Sequence, residues 1–128
     1  MSRLWLWGPV LVMMAIIFTA SSIPNLQQLP GNISDKTGHG IGYGMLGALL
    51  LRALAGGRRA GVTWRTVLLA VACATAYGVS DEFHQRFVPG RSSDVYDVLA
   101  DAEGATAASL GAWAILKSVP QPQRRESP

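Results

Sequence analysis

Residues 36–54 read KTGHGIGYGMLGALLLRAL, and the solvent this segment is suited to decides the fold. It holds five glycines, at 38, 40, 42, 44 and 47. In water each would weaken a helix by about 1 kcal/mol relative to alanine. In a bilayer the same residues have a use, because Gly38/Gly42 and Gly40/Gly44 are four-residue pairs that let a neighbouring backbone approach closely. The membrane reading therefore turns an apparent defect into a packing face.

Four segments have the length and composition to span, roughly 4–21, 37–54 within this stretch, 63–80 and 95–118. A bilayer core of about 30 Å needs about 20 helical residues at about 1.5 Å each. The first, LWLWGPVLVMMAIIFTA, carries no charge, follows Arg3 and ends in SSIPNLQQLPGN, where Pro24, Pro30 and Gly31 make helix continuation costly. An uncleaved helix is favoured over a signal peptide, since the apolar run is longer than a usual h-region and more spans follow. Small residues recur at Ala70/Ala74, Ala100/Gly104 and Ala107/Gly111, and no segment shows the apolar-in, charged-out stripe of a water-soluble bundle helix. The expected fold is all-α, a four-transmembrane-helix bundle over residues 1–119 with a disordered tail over 120–128.

Composition agrees. Apolar residues make up 49% of the 128, charged residues 15%, and the mean hydropathy is +0.25. The pI near 9.5 could suggest nucleic acid, but no basic stripe interleaved with aromatics exists, so no nucleic-acid partner is expected. Cys73 is the only cysteine and lies in an apolar run, which excludes a disulfide within the chain and suggests a small packing residue.

Charge placement sets the orientation. With a cytoplasmic N-terminus, eight basic residues (Arg3, Arg52, Arg58, Arg59, Arg65, Lys117, Arg124, Arg125) fall inside and three (Lys36, Arg86, Arg91) outside, as the positive-inside rule requires. Seven acids fall at the outer side and only Glu126 inside. Both termini are then cytoplasmic in a multi-pass membrane protein. Trp5, Trp7, Trp64 and Trp113 lie near the inner helix ends, suited to an interfacial belt.

The outer face gathers the chemistry. Asp35, His39 and Tyr43 recur every four residues; Tyr77, Asp81 and either His84 or Gln85 do so if the third helix runs past Asp81; Asp94, Asp97 and Asp101 share a face of the fourth. Each has a plain structural role to set against a functional one. Asp35 can be a helix N-cap, Tyr43 a belt residue and His84 a headgroup neighbour, while Arg91 can neutralise Asp97 and Asp101 as a buried ion pair. His39 differs, since an ionisable group a turn inside an apolar helix usually faces a cavity or a partner. A hydrolase or transferase would use His39 as acid or base, with Asp81, Asp97 or Asp101 orienting it or holding a cation. No nucleophile stands out, and no spacing such as HExxH marks a metal site.

These residues carry a resemblance. The SSIP that ends the first helix, the run SDKTGHGIGYGMLGALL and the run AYGVSDEFHQRFVPGRSSDVYDVLADAEGA are together similar to the VanZ-like family of small bacterial integral membrane proteins, over roughly residues 18–112. The resemblance implies a multi-pass protein of the bacterial cytoplasmic (inner) membrane and makes Asp35, Lys36, His39, Tyr43, Asp81, Glu82, Gln85, Arg91 and Asp97 signature positions. One departure is Asp101, where the family pattern commonly has asparagine, which adds an acid to the site. The family's name implies the cell envelope and tolerance of teicoplanin-type glycopeptides.

Three readings follow. In the leading one, the outer cluster recognises an envelope component, a lipid-linked precursor or anionic headgroup, with Asp35, Lys36, Tyr43, Glu82, Gln85, Arg91 and Asp101 as ligand-binding residues. In the second the chain is an enzyme on such substrates, with His39, Asp81 and Asp97 catalytic. In the third the cluster only ties helix ends together. Membrane lipid is the expected partner, no cofactor motif is present, and the donor set leaves room for a divalent cation.

Overall fold

The computed structural model describes residues 1–25, 28–29, 31 and 33–120. It is all-α, with four long helices among the described residues: α1 (Arg3–Ser21), α2 (Asp35–Leu54), α3 (Trp64–Gln85) and α4 (Val95–Ser118). A two-residue ribbon, β1 (Gln28–Leu29) antiparallel to β2 (Ile33–Ser34), clips the connection between α1 and α2. A 3-10 turn, Arg59–Gly61, leads into α3. Of the tail expected over 120–128, residues 121–128 lie outside the described residues, and so do Arg124, Arg125 and Glu126 of the charge pattern and Pro30 of the first loop.

Each helix start has a local cause. Ser2, Ser34, Thr63 and Asp94 are N-caps whose side chains accept from backbone N–H groups of the first turn. Thr63 and Thr66 cap each other's backbone reciprocally. Asp35 is therefore not the cap the sequence suggested: Ser34 takes that role, and Asp35 stands in the first turn, where the helix dipole favours a carboxylate. At the other end, α3 runs to Gln85, five residues beyond the apolar segment 63–80, because Asp81, Glu82 and Gln85 all find partners inside the bundle.

α2 is the central element and touches the other three. Its contact with α4 is made backbone to backbone: a Cβ at Gly44 would lie 3.2 Å from the Gly104 carbonyl oxygen, and one at Gly47 2.9 Å from the Ala105 Cα. Gly104 in turn sits against the Gly40 backbone. The small-residue pattern thus sets the α2–α4 approach. Around it, Val10, Met13 and Ile17 of α1, Leu46 and Leu50 of α2, Val67, Ala70 and Ala74 of α3 and Ala105 of α4 form the core.

The outside of the bundle is apolar. Leu4, Leu11, Val12 and Ile16 on α1, Ile41 and Met45 on α2, Leu68, Leu69 and Val79 on α3, and Leu99, Leu110 and Ile115 on α4 are all exposed. Cys73 is exposed among them rather than packed inside, a correction to the sequence reading. Among the described residues two helices, α1 and α3, are long and apolar enough to cross a membrane, with mean hydropathies of 1.9 and 1.2 over their best stretches. α2 and α4 have the length, but glycine, polar and ionisable residues dilute their hydropathy.

The connections define two ends. At one, the Asn25 N–H donates to the Pro89 carbonyl at 3.0 Å, so the α1–α2 and α3–α4 loops touch. Gly90 (φ 72°) is tight against Asn25, which leaves no room for a Cβ. At the other end, Arg59 bonds the Val119 carbonyl and Arg52 Nη1 donates to the Trp5 carbonyl at 2.9 Å. That second bond has a backbone reason: Pro9 lacks the N–H that would have met the Trp5 carbonyl four residues back.

Candidate functional site

The site lies at the end where the two loops touch, built from the first turns of α2 and α4 and the last turns of α3. His39 is buried, and its Nδ1 donates to Asp101 Oδ1 across 2.6 Å, a short bond between α2 and α4. The Asp101 side chain is 0% exposed. Its carboxylate fits because residue 78 is glycine, where any Cβ would collide with it. His39 Nε2 faces the other way, 3.8 Å from both Asp35 Oδ2 and Glu82 Oε1.

A second layer holds this core. The Tyr43 hydroxyl donates to Asp81 Oδ2 at 3.1 Å, with its ring parallel to that of His39 and 6.0 Å away. Glu82 Oε2 accepts from the Asp94 backbone N–H at 2.9 Å. Lys36 Nζ reaches Asp94 Oδ2 at 3.1 Å and Asp97 Oδ1 at 3.3 Å; Lys36 is 54% exposed and Asp97 only 3%. At this mouth, hydrogen bonding to Asp94 holds the Lys36 ammonium above its ordinary pKa. Asp94 is held below the usual carboxylate range, first by the Tyr96 N–H and then by Lys36.

The arrangement sorts the residues that the sequence grouped. His39, Asp81, Glu82, Asp101, Tyr43 and Asp35 come together at one focus. Asp101, classed with the ligand-binding set, is the carboxylate that orients His39. Asp81 serves Tyr43, and Asp97 meets Lys36, the cation supplied here to an acid for which the sequence suggested Arg91. Gln85 stands apart from the focus and donates to Ser21 Oγ at 3.4 Å, tying α3 to α1. His84 stands away from the focus: it stacks on Phe18 with ring centroids 4.6 Å apart and bonds Ser22 Oγ at 3.0 Å. Sequence reasoning gave Ser21 and Ser22 no place in the site, although they open the SSIP that carries part of the family resemblance.

Beside the focus is a cavity of about 140 Å³ between α1 and α2. Met13, Ile16, Ile17 and Ala20 make one wall with Gly42; Asp35, His39, Asp81 and Arg91 make the other. Chemically the focus can accept hydrogen bonds, hold a cation, or move a proton at His39 Nε2. Two buried oxygens, Glu82 Oε1 and Asp101 Oδ2, have no hydrogen-bond partner among the described residues.

No curated protein and no solved structure matches the chain. The family model described as VanZ/LLP1 matches residues 6–117, which takes in all four helices and every residue of the focus. On that match the chain belongs to the VanZ/LLP1 family.

Proposed function

We propose that the chain is a multi-pass protein of the bacterial cytoplasmic membrane whose outer-face site recognises a lipid-linked precursor of the cell envelope. In this reading all four helices cross, the termini are cytoplasmic, and the His39 end faces outward. Support comes from the apolar exterior of every helix and from the basic residues Arg3, Arg52, Arg58, Arg59, Arg65 and Lys117 at the opposite end.

The observation that carries the reading is the two-faced lining of the cavity, aliphatic on α1 and ionisable on α2 and α3. Such a site suits a ligand with a hydrocarbon part and a polar part. A bare anionic headgroup fits less well, because Asp35, Asp81, Glu82, Asp97 and Asp101 outnumber Lys36 and Arg91. The hydroxyl and amine groups of a sugar- or peptide-bearing precursor donate to carboxylates, while Arg91 meets its phosphate. Tolerance of teicoplanin-type glycopeptides is the cellular effect that holding such precursors implies.

The test is cross-linking of a photoactivatable polyprenyl-linked precursor to the full chain in nanodiscs. Gly42→Leu places a side chain in the cavity where a Cβ meets only Ile17, at 4.0 Å. Cross-linking is expected to fall at least tenfold; an unchanged yield from a folded variant sinks the proposal. The enzyme reading draws on the 2.6 Å His39–Asp101 bond, which leaves Nε2 facing the cavity for acid or base work. Turnover of the labelled precursor that disappears in His39→Ala would move the assignment from binder to enzyme.

A further inference from the structure

We propose that His39, Asp81 and Glu82 form a binding site for a divalent transition-metal ion, Zn²⁺ or Mn²⁺. One ligand atom from each, an imidazole nitrogen and two carboxylate oxygens, lies within 4.8 Å of the others, and all three residues are buried. Glu82 Oε1 carries the argument. Its side chain is 6% exposed, and this oxygen has no hydrogen-bond partner among the described residues, yet it points at His39 Nε2 from 3.8 Å. That gap is too long for a hydrogen bond, about 2.7–3.2 Å. It fits two donors on one ion: ligand atoms each about 2.0–2.2 Å from a metal are at most about 4.4 Å apart.

The outer contacts point the same way. Each of the three residues also has a polar atom held by a neighbour: His39 Nδ1 by Asp101, Asp81 Oδ2 by the Tyr43 hydroxyl, and Glu82 Oε2 by the Asp94 N–H. A carboxylate on the far nitrogen of a ligating histidine fixes its tautomer and leaves Nε2 as the donor, the arrangement that commonly supports metal-bound imidazole. Two carboxylates with a neutral imidazole also balance a doubly charged ion, which removes the cost of burying two like charges side by side. The imidazole favours Zn²⁺ over Mg²⁺ and Ca²⁺, which prefer all-oxygen shells, and the two carboxylates admit Mn²⁺ as well.

His39 and Asp81 also line the cavity, so the ion would stand where a precursor's phosphate enters, and to that extent the proposal deepens the reading above. Its test does not use the precursor. The full chain in phosphatidylethanolamine and phosphatidylglycerol nanodiscs, stripped with chelator, is titrated with Zn²⁺, Mn²⁺, Mg²⁺ and Ca²⁺ by calorimetry. One equivalent of Zn²⁺ or Mn²⁺ per chain is expected. Binding should weaken at least a hundredfold in Glu82→Gln, about 10–100-fold in Asp101→Asn, and not at all in Glu103→Gln, on the exposed side of α4. X-ray absorption on the unsubstituted protein, which needs no variant to fold, should show one imidazole nitrogen among oxygens at about 2.0–2.2 Å. No binding by the unsubstituted chain, equal binding by Glu82→Gln, or an all-oxygen shell overturns the site. Those results leave precursor cross-linking untouched, and loss of cross-linking leaves the metal titration untouched.

Discussion

His39 Nδ1 and Asp101 Oδ1 meet across 2.6 Å although 62 positions separate them in the chain. The bond joins the second turn of α2 to the second turn of α4 in a place closed to solvent. Asparagine at 101 keeps an acceptor for the Nδ1–H, whereas alanine leaves that donor buried and unmet. Asp101→Ala is therefore expected to destabilise the fold by about 1–3 kcal/mol, and Asp101→Asn by clearly less. Reversible unfolding in mixed micelles checks the order; equal losses would mean that the charge of Asp101, and not its acceptor, supports His39.

Glycines on α2 and α4 divide into those that touch a backbone and those that face open space. At Gly47 a Cβ would stand 2.9 Å from the Ala105 Cα, so Gly47→Ala should separate the helices at a cost of about 1–3 kcal/mol. Gly111 has nothing within 4 Å, and Gly111→Ala should be neutral or stabilising by up to about 1 kcal/mol. The same unfolding assay ranks the pair, and a reversed order would remove the close α2–α4 approach as the basis of the fold.

Arg52 completes a helix other than its own by donating to the carbonyl that Pro9 leaves without a partner. Arg52→Ala should cost about 1 kcal/mol in the native background. With Pro9→Ala present, residue 9 supplies its own N–H and the same change should cost markedly less. A double-mutant cycle reads this coupling directly, and additive losses would show that Arg52 acts through some other contact.

Much of this architecture was legible in the residues. The four helices follow from apolar length and from breakers such as Pro24, and the shared face of Asp35, His39 and Tyr43 follows from their spacing. The end of α3 was hidden, because Asp81, Glu82 and Gln85 look like loop residues until Tyr43, the Asp94 N–H and Ser21 receive them. Nor could spacing decide which aspartate meets His39. Periodicity places a residue on a face but does not fix the height at which two helices cross, and here Gly40, Gly44 and Gly104 set that height. The Ser34 cap was readable in SDKT, yet the neighbouring aspartate drew the assignment.

The two walls of the cavity are held by different kinds of contact. α2 and α4 meet through main chain at Gly44, Gly47 and Gly104, where nothing can rotate out of the way. α1 joins the bundle through side chains, with Val10, Met13 and Ile17 in the shared core, and no glycine of α1 meets a neighbouring backbone among the described residues. For the proposed ligand, a tail of different girth is then accommodated at the aliphatic wall, while the α2–α4 approach that positions His39 against Asp101 stays fixed. In the proposed reading, tolerance is thereby separated from recognition: one helix adapts to the tail of the ligand, and three keep the polar measure by which it is judged.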